Sequence, residues 1–206
     1  NWFAELSGRI HQRVTMNGHN KIAVSPAGLG LPVYGTSNHQ ALLTKLNVKN
    51  ITIIRFRNYW DFPIDLIATE LSKTGKVINI VDADPPGKVI ESAAIAYSFD
   101  ALERPETYFS KLRDTIQDST EIILFPAVMG FSRHKSILAA AELALGVPCL
   151  EVPTLLPSIP GMRLEQAFIL NLENTETNFH RGVKIDKSSI DRENGIVVWD
   201  DKGRRF

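Results

Sequence analysis

Basic side chains stand at two places where the sequence predicts the start of a helix. The first place is RHK, which is Arg133, His134 and Lys135, and the second is Arg163 after the proline-rich segment PTLLPSIPG of residues 153–161. Free backbone N–H groups at a helix N-terminus favour an anion. These positions therefore predict a rim of the molecule that binds an anionic ligand such as a phosphate.

The same residues also have a plainer interpretation. An arginine in the first turn of a helix opposes the helix dipole, and a neighbouring acid such as Glu165, or water, can offset that cost. Arg133, His134 and Lys135 can equally form a solvated helix start, because exposed charge is common on protein surfaces. The residues alone leave both interpretations open.

No catalytic, phosphate-binding or metal-binding signature is complete in this sequence. GLGLPVYG at 28–35 begins like a dinucleotide fingerprint, but its third glycine is displaced to Gly35, and Pro32 interrupts the helix that should follow. The histidines and Cys149 lack metal-ligand spacing. Catalytic residues and cofactor contacts therefore stay unassigned, and no metal is expected.

Composition excludes several broad classes of protein. Among 206 residues, 23 Lys and Arg balance 23 Asp and Glu, so no overall field attracts nucleic acid. A single cysteine allows no disulfide within the chain, which fits a reducing compartment. No apolar run reaches the roughly 18 residues of a membrane span. The chain begins without a methionine, as expected for a piece of a longer protein.

Apolar runs alternate with helical segments through residues 49–176, which predicts an α/β domain. The runs predicted as strands are Ile51–Arg55, Val77–Val81, Ile122–Phe125 and Leu150–Val152. Continuous apolar strands separated by helices indicate a parallel sheet flanked by helices, a Rossmann-like layer. Residues 177–206 alternate apolar and polar side chains, which predicts a C-terminal antiparallel β-hairpin. Residues 1–48 form an N-terminal strand and loop segment of uncertain boundaries.

The carboxyl ends of parallel strands share one edge of a sheet, where ligands bind in open α/β folds. Both predicted basic sites follow such strands, so we expect them to lie at a common crevice. The prolines hold residues 153–160 extended. This strip is either a rigid wall of that crevice or simply a stiff connection between the fourth strand and its helix.

Longer stretches of the sequence resemble the anaerobic glycerol-3-phosphate dehydrogenase B-subunit family. EIILFPAVMGF, PCLEVPTLLPSIPGMRLEQAF and RGVKIDKSSIDRENGIVV carry the resemblance in this order, together with SPAGLGLPVY and NITIIRFRNYWDFPIDLIATEL nearer the start. The resemblance runs from about residue 21 to the C-terminus and is most specific at 121–164. It implies a part of a flavin-dependent oxidoreductase.

The family's flavin-binding segments have no counterpart in this sequence. The resemblance therefore implies a substrate or cap domain, inactive alone, from a protein that carries FMN or FAD in its full length; the fragment itself is expected to bind no cofactor. It implies that Thr154 faces the flavin or the substrate, together with the neighbouring strip residues. The candidate substrate-binding residues are Arg163, Thr154, Arg133, Lys135 and His134.

The resemblance also implies partners. Members of the B-subunit family work with an A-type flavoprotein and a membrane-associated C-type iron–sulfur protein, passing electrons from glycerol 3-phosphate to quinone. A cytoplasmic location, or one at the inner face of the cell membrane through these partners, follows from it. Two other functions remain open: a non-catalytic assembly module that docks partner subunits, and a substrate domain of a flavoprotein with a different substrate. An exposed apolar rim around the proline strip would favour docking.

Overall fold

A computed structural model of the chain describes residues 15–36, 39–173, 180, 182–191 and 195–205. The chain divides into two compact units, Asn1–Ala167 and Phe168–Phe206. The division falls within the helix Ile159–Glu173. The domain boundaries at 48/49 and 176/177 stay predictions.

A parallel sheet of four strands forms the centre of the first unit. Its strands are β3 (Asn50–Phe56), β4 (Val77–Ala83), β5 (Ile122–Pro126) and β6 (Cys149–Val152). They lie in the order β4-β3-β5-β6, and every neighbouring pair is parallel. The predicted α/β fold is confirmed, and all four carboxyl ends lie at one edge. The strand order reverses between β3 and β5, which is the point where ligands bind in many such sheets.

Helices connect these strands, and their limits follow local sequence signals. They are α1 (Ile64–Ser72), α2 (Ser92–Asp100), α3 (Pro105–Arg113), α4 (His134–Leu145) and α5 (Ile159–Glu173). Pro105 begins α3, at a position where a backbone N–H would have no acceptor within the helix. Gly146 ends α4 with φ of 75°. Because α5 already begins at Ile159, the connection after β6 is shorter than the predicted strip.

The core lies between this sheet and its helices. Phe56, Phe99, Phe109 and Phe125 are all fully buried, and successive ring centroids are 5.9 to 6.1 Å apart. These rings join β3 and β5 to α2 and α3. All five residues of the apolar strand β5 are buried, so the strand has no solvent-exposed face, as expected for a parallel sheet covered on both sides.

A separate antiparallel pair, β1 (Thr15–Val24) and β2 (Gly30–Thr36), occupies the glycine-rich region near the start. Gly28 lies in the turn with φ of 76°. A Cβ at this glycine would lie 2.9 Å from the Cα of Ile67 and 2.9 Å from the Cβ of Glu70, both on α1. The glycine therefore allows the turn to approach a helix closely.

The second unit contains the predicted C-terminal hairpin, formed by β7 (Ile185–Asp191) and β8 (Gly195–Asp200). These strands form a two-stranded sheet of their own, which confirms the predicted hairpin. Residues 192–194 lie outside the described part. Lys187 Nζ lies 5.0 Å from the centre of the Trp199 ring, a cation–π contact across the two strands.

Within the described ranges, the helices are all too short or too polar to cross a membrane.

We predict that Gly28→Ala destabilises the first unit more than Gly75→Ala. Both glycines have φ near 80°, so each substitution incurs about 1–2 kcal/mol for a left-handed L-residue. Only the Gly28 substitution also meets α1 backbone, whereas a Cβ at Gly75 meets nothing within 4 Å. Urea unfolding of both variants measures the difference; equal losses would contradict the close contact.

Candidate functional site

A buried acid, Glu151, lies near the carboxyl end of the short apolar strand β6. Its side chain is 6% exposed, and Oε1 accepts a hydrogen bond of 3.0 Å from the backbone N–H of Met129. An isolated carboxylate at such depth would be very unfavourable. Glu151 is stable there because its other partners are cationic or strongly polar.

Arg163 on α5 is the main partner of this carboxylate. Its Nη1 donates to Glu151 Oε2 at 2.8 Å, and its Nη2 donates to Oε1 at 3.1 Å, so the pair is bidentate. Nε and Nη2 also donate to the carbonyl of Gly130, at 2.9 and 2.6 Å. The guanidinium is 4% exposed. The partner of Arg163 is therefore an acid of the protein, at Glu151.

His134 contacts the same carboxylate from the first residue of α4. Its Nε2 lies 2.8 Å from Glu151 Oε2, and its side chain is 5% exposed. Since the carboxylate is ionised, the imidazole donates this bond. The ring also meets His39 edge to face, with centroids 5.8 Å apart. Of the predicted residues, the structure thus brings Arg163 and His134 together on one buried acid.

Ionisation of Glu151 is strongly favoured. Burial alone would raise the pKa of this carboxyl, but the charges of Arg163 and His134 and their hydrogen bonds outweigh burial and hold the pKa well below its usual value. The backbone of Glu151 is bonded as well: its N–H donates to His39 O, and its carbonyl accepts from Ala41 N–H. One residue therefore joins β6, α4, α5, the loop after β5 and the segment 39–41.

The start of α4 also holds a carboxylate, that of Asp100 at the end of α2. Oδ1 accepts from the N–H groups of Phe131 and Arg133, at 3.0 and 2.9 Å. Oδ2 accepts from the N–H and the hydroxyl of Ser132, at 2.7 and 2.8 Å. A Cβ at Gly130 would lie 2.8 Å from Asp100 Oδ1, so the glycine makes room for this acid. The predicted anion position is occupied internally.

The two remaining basic candidates differ in their surroundings. Arg133 is exposed and donates through Nη1 to the carbonyls of Asp100 and Leu102, at 2.7 and 2.8 Å. Lys135 is exposed on α4. Binding of a substrate anion by either residue stays a prediction.

Thr154, the last predicted site residue, belongs to a group of hydroxyls beside the sheet edge. It is 7% exposed and lies near the Tyr59 hydroxyl, without the geometry of an ordinary hydrogen bond. Tyr59 Oη lies 2.8 Å from Ser92 Oγ, and Ser92 donates to Asp61 Oδ2 at 3.2 Å. Burial raises the pKa of Tyr59, and the neighbouring hydroxyls offset part of that rise. This group fastens the loop after β3 to α2.

Exposed apolar side chains lie next to these buried polar groups. Trp60 is 84% exposed, Leu155 49% and Leu156 86%. The N–H of Leu155 donates to the carbonyl of Asp61 at 2.8 Å, so the loops after β3 and β6 are held together. We call Trp60, Leu155 and Leu156 the apolar rim. The three side chains lie on these two joined loops, and an exposed apolar patch is typical of an interaction site.

Sequence reasoning missed Glu151 and Asp100. A signal existed for Glu151, because a lone acid in the apolar run PCLEV must either face water or have a buried cation. Asp100 gave no comparable signal, since it stands 31 to 33 residues before the N–H groups that it binds. The described residues contain no cluster of His, Cys, Asp and Glu side chains that could hold a metal ion.

Comparison of the chain with protein-family models, with curated proteins and with solved structures found no match. The buried acids and cations of the carboxyl edge neutralise one another inside the protein, while its exposed side chains include three large apolar ones and the basic Arg133 and Lys135.

We predict strong energetic coupling between Glu151 and Arg163. Either Glu151→Leu or Arg163→Met leaves a buried charge without its partner and should lower the free energy of unfolding by about 3–5 kcal/mol. The double variant should lose much less than the sum of the two, since apolar pairs replace buried ion pairs well. Urea unfolding of all four proteins measures the coupling.

An exposed pair provides the control for this cycle. Arg113 and Asp118 are 3.0 Å apart, with side chains 41% and 96% exposed. Their coupling should stay below about 1 kcal/mol. Additive losses at Glu151 and Arg163 would show that the buried pair contributes nothing specific.

The lowered pKa of Glu151 also predicts a pH dependence. In the unfolded chain this carboxyl takes up a proton near its ordinary value of 4.5, while in the folded protein it stays ionised to lower pH. The unfolded state then binds more protons, so stability falls as the pH drops below about 4.5. Urea unfolding between pH 7 and 3.5 should show a smaller fall for Glu151→Leu/Arg163→Met than for the wild type. Identical profiles would contradict a lowered pKa at Glu151.

Proposed function

We propose that this chain is a docking module that binds a flavin-bearing protein through the carboxyl edge of its sheet. The observation that carries the proposal is the apolar rim, where Trp60 and Leu156 are more than four-fifths exposed. The rim lies at the edge where open α/β sheets bind their ligands.

The charged groups at this edge support docking more than substrate binding. Arg163 and His134 are bonded to Glu151, and the start of α4 is bonded to Asp100. An incoming phosphate would have to displace a carboxylate that already satisfies these donors. A protein partner would leave these bonds intact, because it needs only the outward apolar side chains.

Rigidity of the rim also supports docking. The hydrogen bond from Leu155 N–H to Asp61 O joins the two loops, and Arg163 fixes the start of α5. A surface that is already ordered loses little conformational entropy on binding. Large, ordered side chains such as tryptophan often contribute most of the affinity of an interface.

The resemblance to the glycerol-3-phosphate dehydrogenase B-subunit family supplies the class of partner. It implies an A-type flavoprotein, with a C-type iron–sulfur protein that completes the electron path to quinone. The flavin and the chemistry would then belong to the assembled enzyme. In that assembly, this chain binds the flavoprotein and holds it in position.

We predict that Trp60→Ser/Leu156→Ser weakens binding to a purified A-type flavoprotein from the same organism at least about tenfold, or about 1.4 kcal/mol. Loss of two exposed anchors should leave folding intact, which circular dichroism checks. Leu143→Ser is the matched control, because Leu143 is 80% exposed but lies on α4. Isothermal titration calorimetry compares the three proteins.

Two results would contradict the docking proposal. One is that the wild type does not bind the flavoprotein; the other is that Leu143→Ser weakens binding as much as the rim variant does.

A second candidate function, a substrate domain for a phosphorylated compound, is favoured by one observation. The sheet order reverses between β3 and β5. Exposed Arg57, which pairs with Asp84 at 3.1 Å, follows the first of these strands, and exposed Lys135 is the second residue of the helix after the other. Glycerol 3-phosphate at ten times its Kd should then stabilise the fold by about 1.4 kcal/mol. Lys135→Ala should remove that thermal shift, and an unchanged melting temperature in the wild type would exclude this function.

A further inference from the structure

The two side edges of the parallel sheet differ. At β6, the segment 39–41 covers the edge, since His39 O and Ala41 N bond to the backbone of Glu151. At the other side, β4 pairs with β3, and no second neighbour of β4 occurs among the described strands. An open strand edge is a template for pairing with another chain.

The direction of the free backbone groups of β4 follows from its bonds to β3. Val77 N–H donates to Lys49 O, and Ala83 O accepts from Arg57 N–H. Odd-numbered residues of β4 therefore direct their N–H and C=O groups towards β3. Successive residues of a strand alternate in this respect, so Ile78 and Ile80 direct theirs away from the sheet.

Beside this edge lies a groove of about 620 Å³ between β4 and α1. Its lining is Asp65, Ala68, Thr69, Ser72, Lys73, Ile78 and Ile80. Small side chains of α1 form one wall, and the half-buried isoleucines of β4 form the floor. Val77, on the opposite face of the strand, is 50% exposed. Both faces of β4 thus leave apolar surface in water.

We propose that β4 pairs antiparallel with β4 of a second copy of this chain, with Asn79 opposite Asn79 at a two-fold axis. This register places Ile78 opposite Ile80 and Val77 opposite Val81 of the second copy. Ile78 and Ile80 are the residues with outward backbone groups, so they form the hydrogen-bonded pairs that an antiparallel ladder requires. Two four-stranded sheets become one continuous sheet.

Charge supports a second copy as the occupant. Lys76 falls opposite Asp82 of the second copy, so the register brings no like charges together. On the groove side, the two-fold axis makes the α1 helices antiparallel and brings Asp65 of each towards Lys73 of the other. Within one copy Asp65 lies 3.9 Å from Arg55 and Lys73 pairs with Glu70 at 2.6 Å, but the two side chains are 87% and 64% exposed and of opposite charge. A strand that is its own complement in apolar side chains and in charge fits a C2 interface.

The edge also lacks the usual protection against pairing. Natural edge strands commonly carry proline, a bulge or an unpaired charge. β4 has no proline, its register with β3 is continuous, and its one charged residue, Asp82, is bonded to Arg55 of the same copy at 2.5 Å. The interface uses the side of the sheet, so it goes beyond the proposed docking at the carboxyl edge.

Cross-linking tests the register directly. In the proposed dimer, Asn79 of one copy and Asn79 of the other form a non-hydrogen-bonded pair with Cα atoms about 4.5 Å apart. A disulfide can bridge this distance. Oxidised Asn79→Cys should therefore run as a covalent dimer on a non-reducing gel. Val77→Cys is the matched control, because residue 77 faces residue 81 and should stay monomeric on the gel. The native Cys149 is buried in both variants.

Sedimentation of the whole chain tests the association itself. The wild type should dimerise reversibly, and Ile80→Pro should raise its dimer dissociation constant at least about tenfold, because it removes an N–H that points out of the sheet. Proline is tolerated at such edge positions, and circular dichroism verifies the fold. Leu143→Lys should leave dimerisation unchanged. A wild type that stays monomeric up to about 100 µM would overturn the proposal; a dissociation constant of about 100 µM corresponds to about −5.5 kcal/mol of binding free energy. Equal cross-linking of both cysteine variants would overturn it as well.

Discussion

The buried carboxylate of Glu151 is the interaction on which the carboxyl edge depends. A charge in a strand with no exposed residue is stable only where cations and N–H groups surround it. Arg163, His134 and the N–H of Met129 meet this need, and they come from α5, from α4 and from the loop after β5. The relative positions of these segments are therefore set by one side chain.

Acids of the protein itself bind the basic residues and helix N–H groups of the carboxyl edge, and this limits which ligands the surface can bind. The features that predict an anion site in the sequence, basic residues and free N–H groups at helix starts, are present in the fold. Their anions are Glu151 and Asp100, each bonded through both carboxylate oxygens. The buried polar groups are thereby bonded to one another, and the side chains that face outward include Trp60, Leu155 and Leu156 beside the exposed Arg133 and Lys135. This arrangement favours a protein partner over a small anion.

Much of the fold could be predicted from the sequence, because the spacing of apolar residues in a strand or a helix is a pattern of residues close together in the chain. The four strands and the C-terminal hairpin all follow from such local patterns. The partners of Arg163 and Arg133 could not be predicted in this way. A helix start shows that an acid is favourable nearby, but which acid reaches it depends on packing between segments far apart in sequence. Gly28 is a similar case, since its contact with α1 exists only in three dimensions.

The same reasoning explains the asymmetry of the sheet. Glu151 is in the strand at one side, and its backbone holds the segment 39–41 while its side chain holds the helices, so that side is closed by the residue that also organises the carboxyl edge. No comparable residue occupies β4, whose single acid bonds to Arg55 on its inner neighbour β3. Backbone groups that a parallel sheet leaves open at one side remain strong donors and acceptors. The segment 39–41 of the same chain closes the β6 edge, and β4 of the proposed second copy closes the β4 edge. One sequence thus supplies hydrogen-bond partners for the backbone groups at both edges.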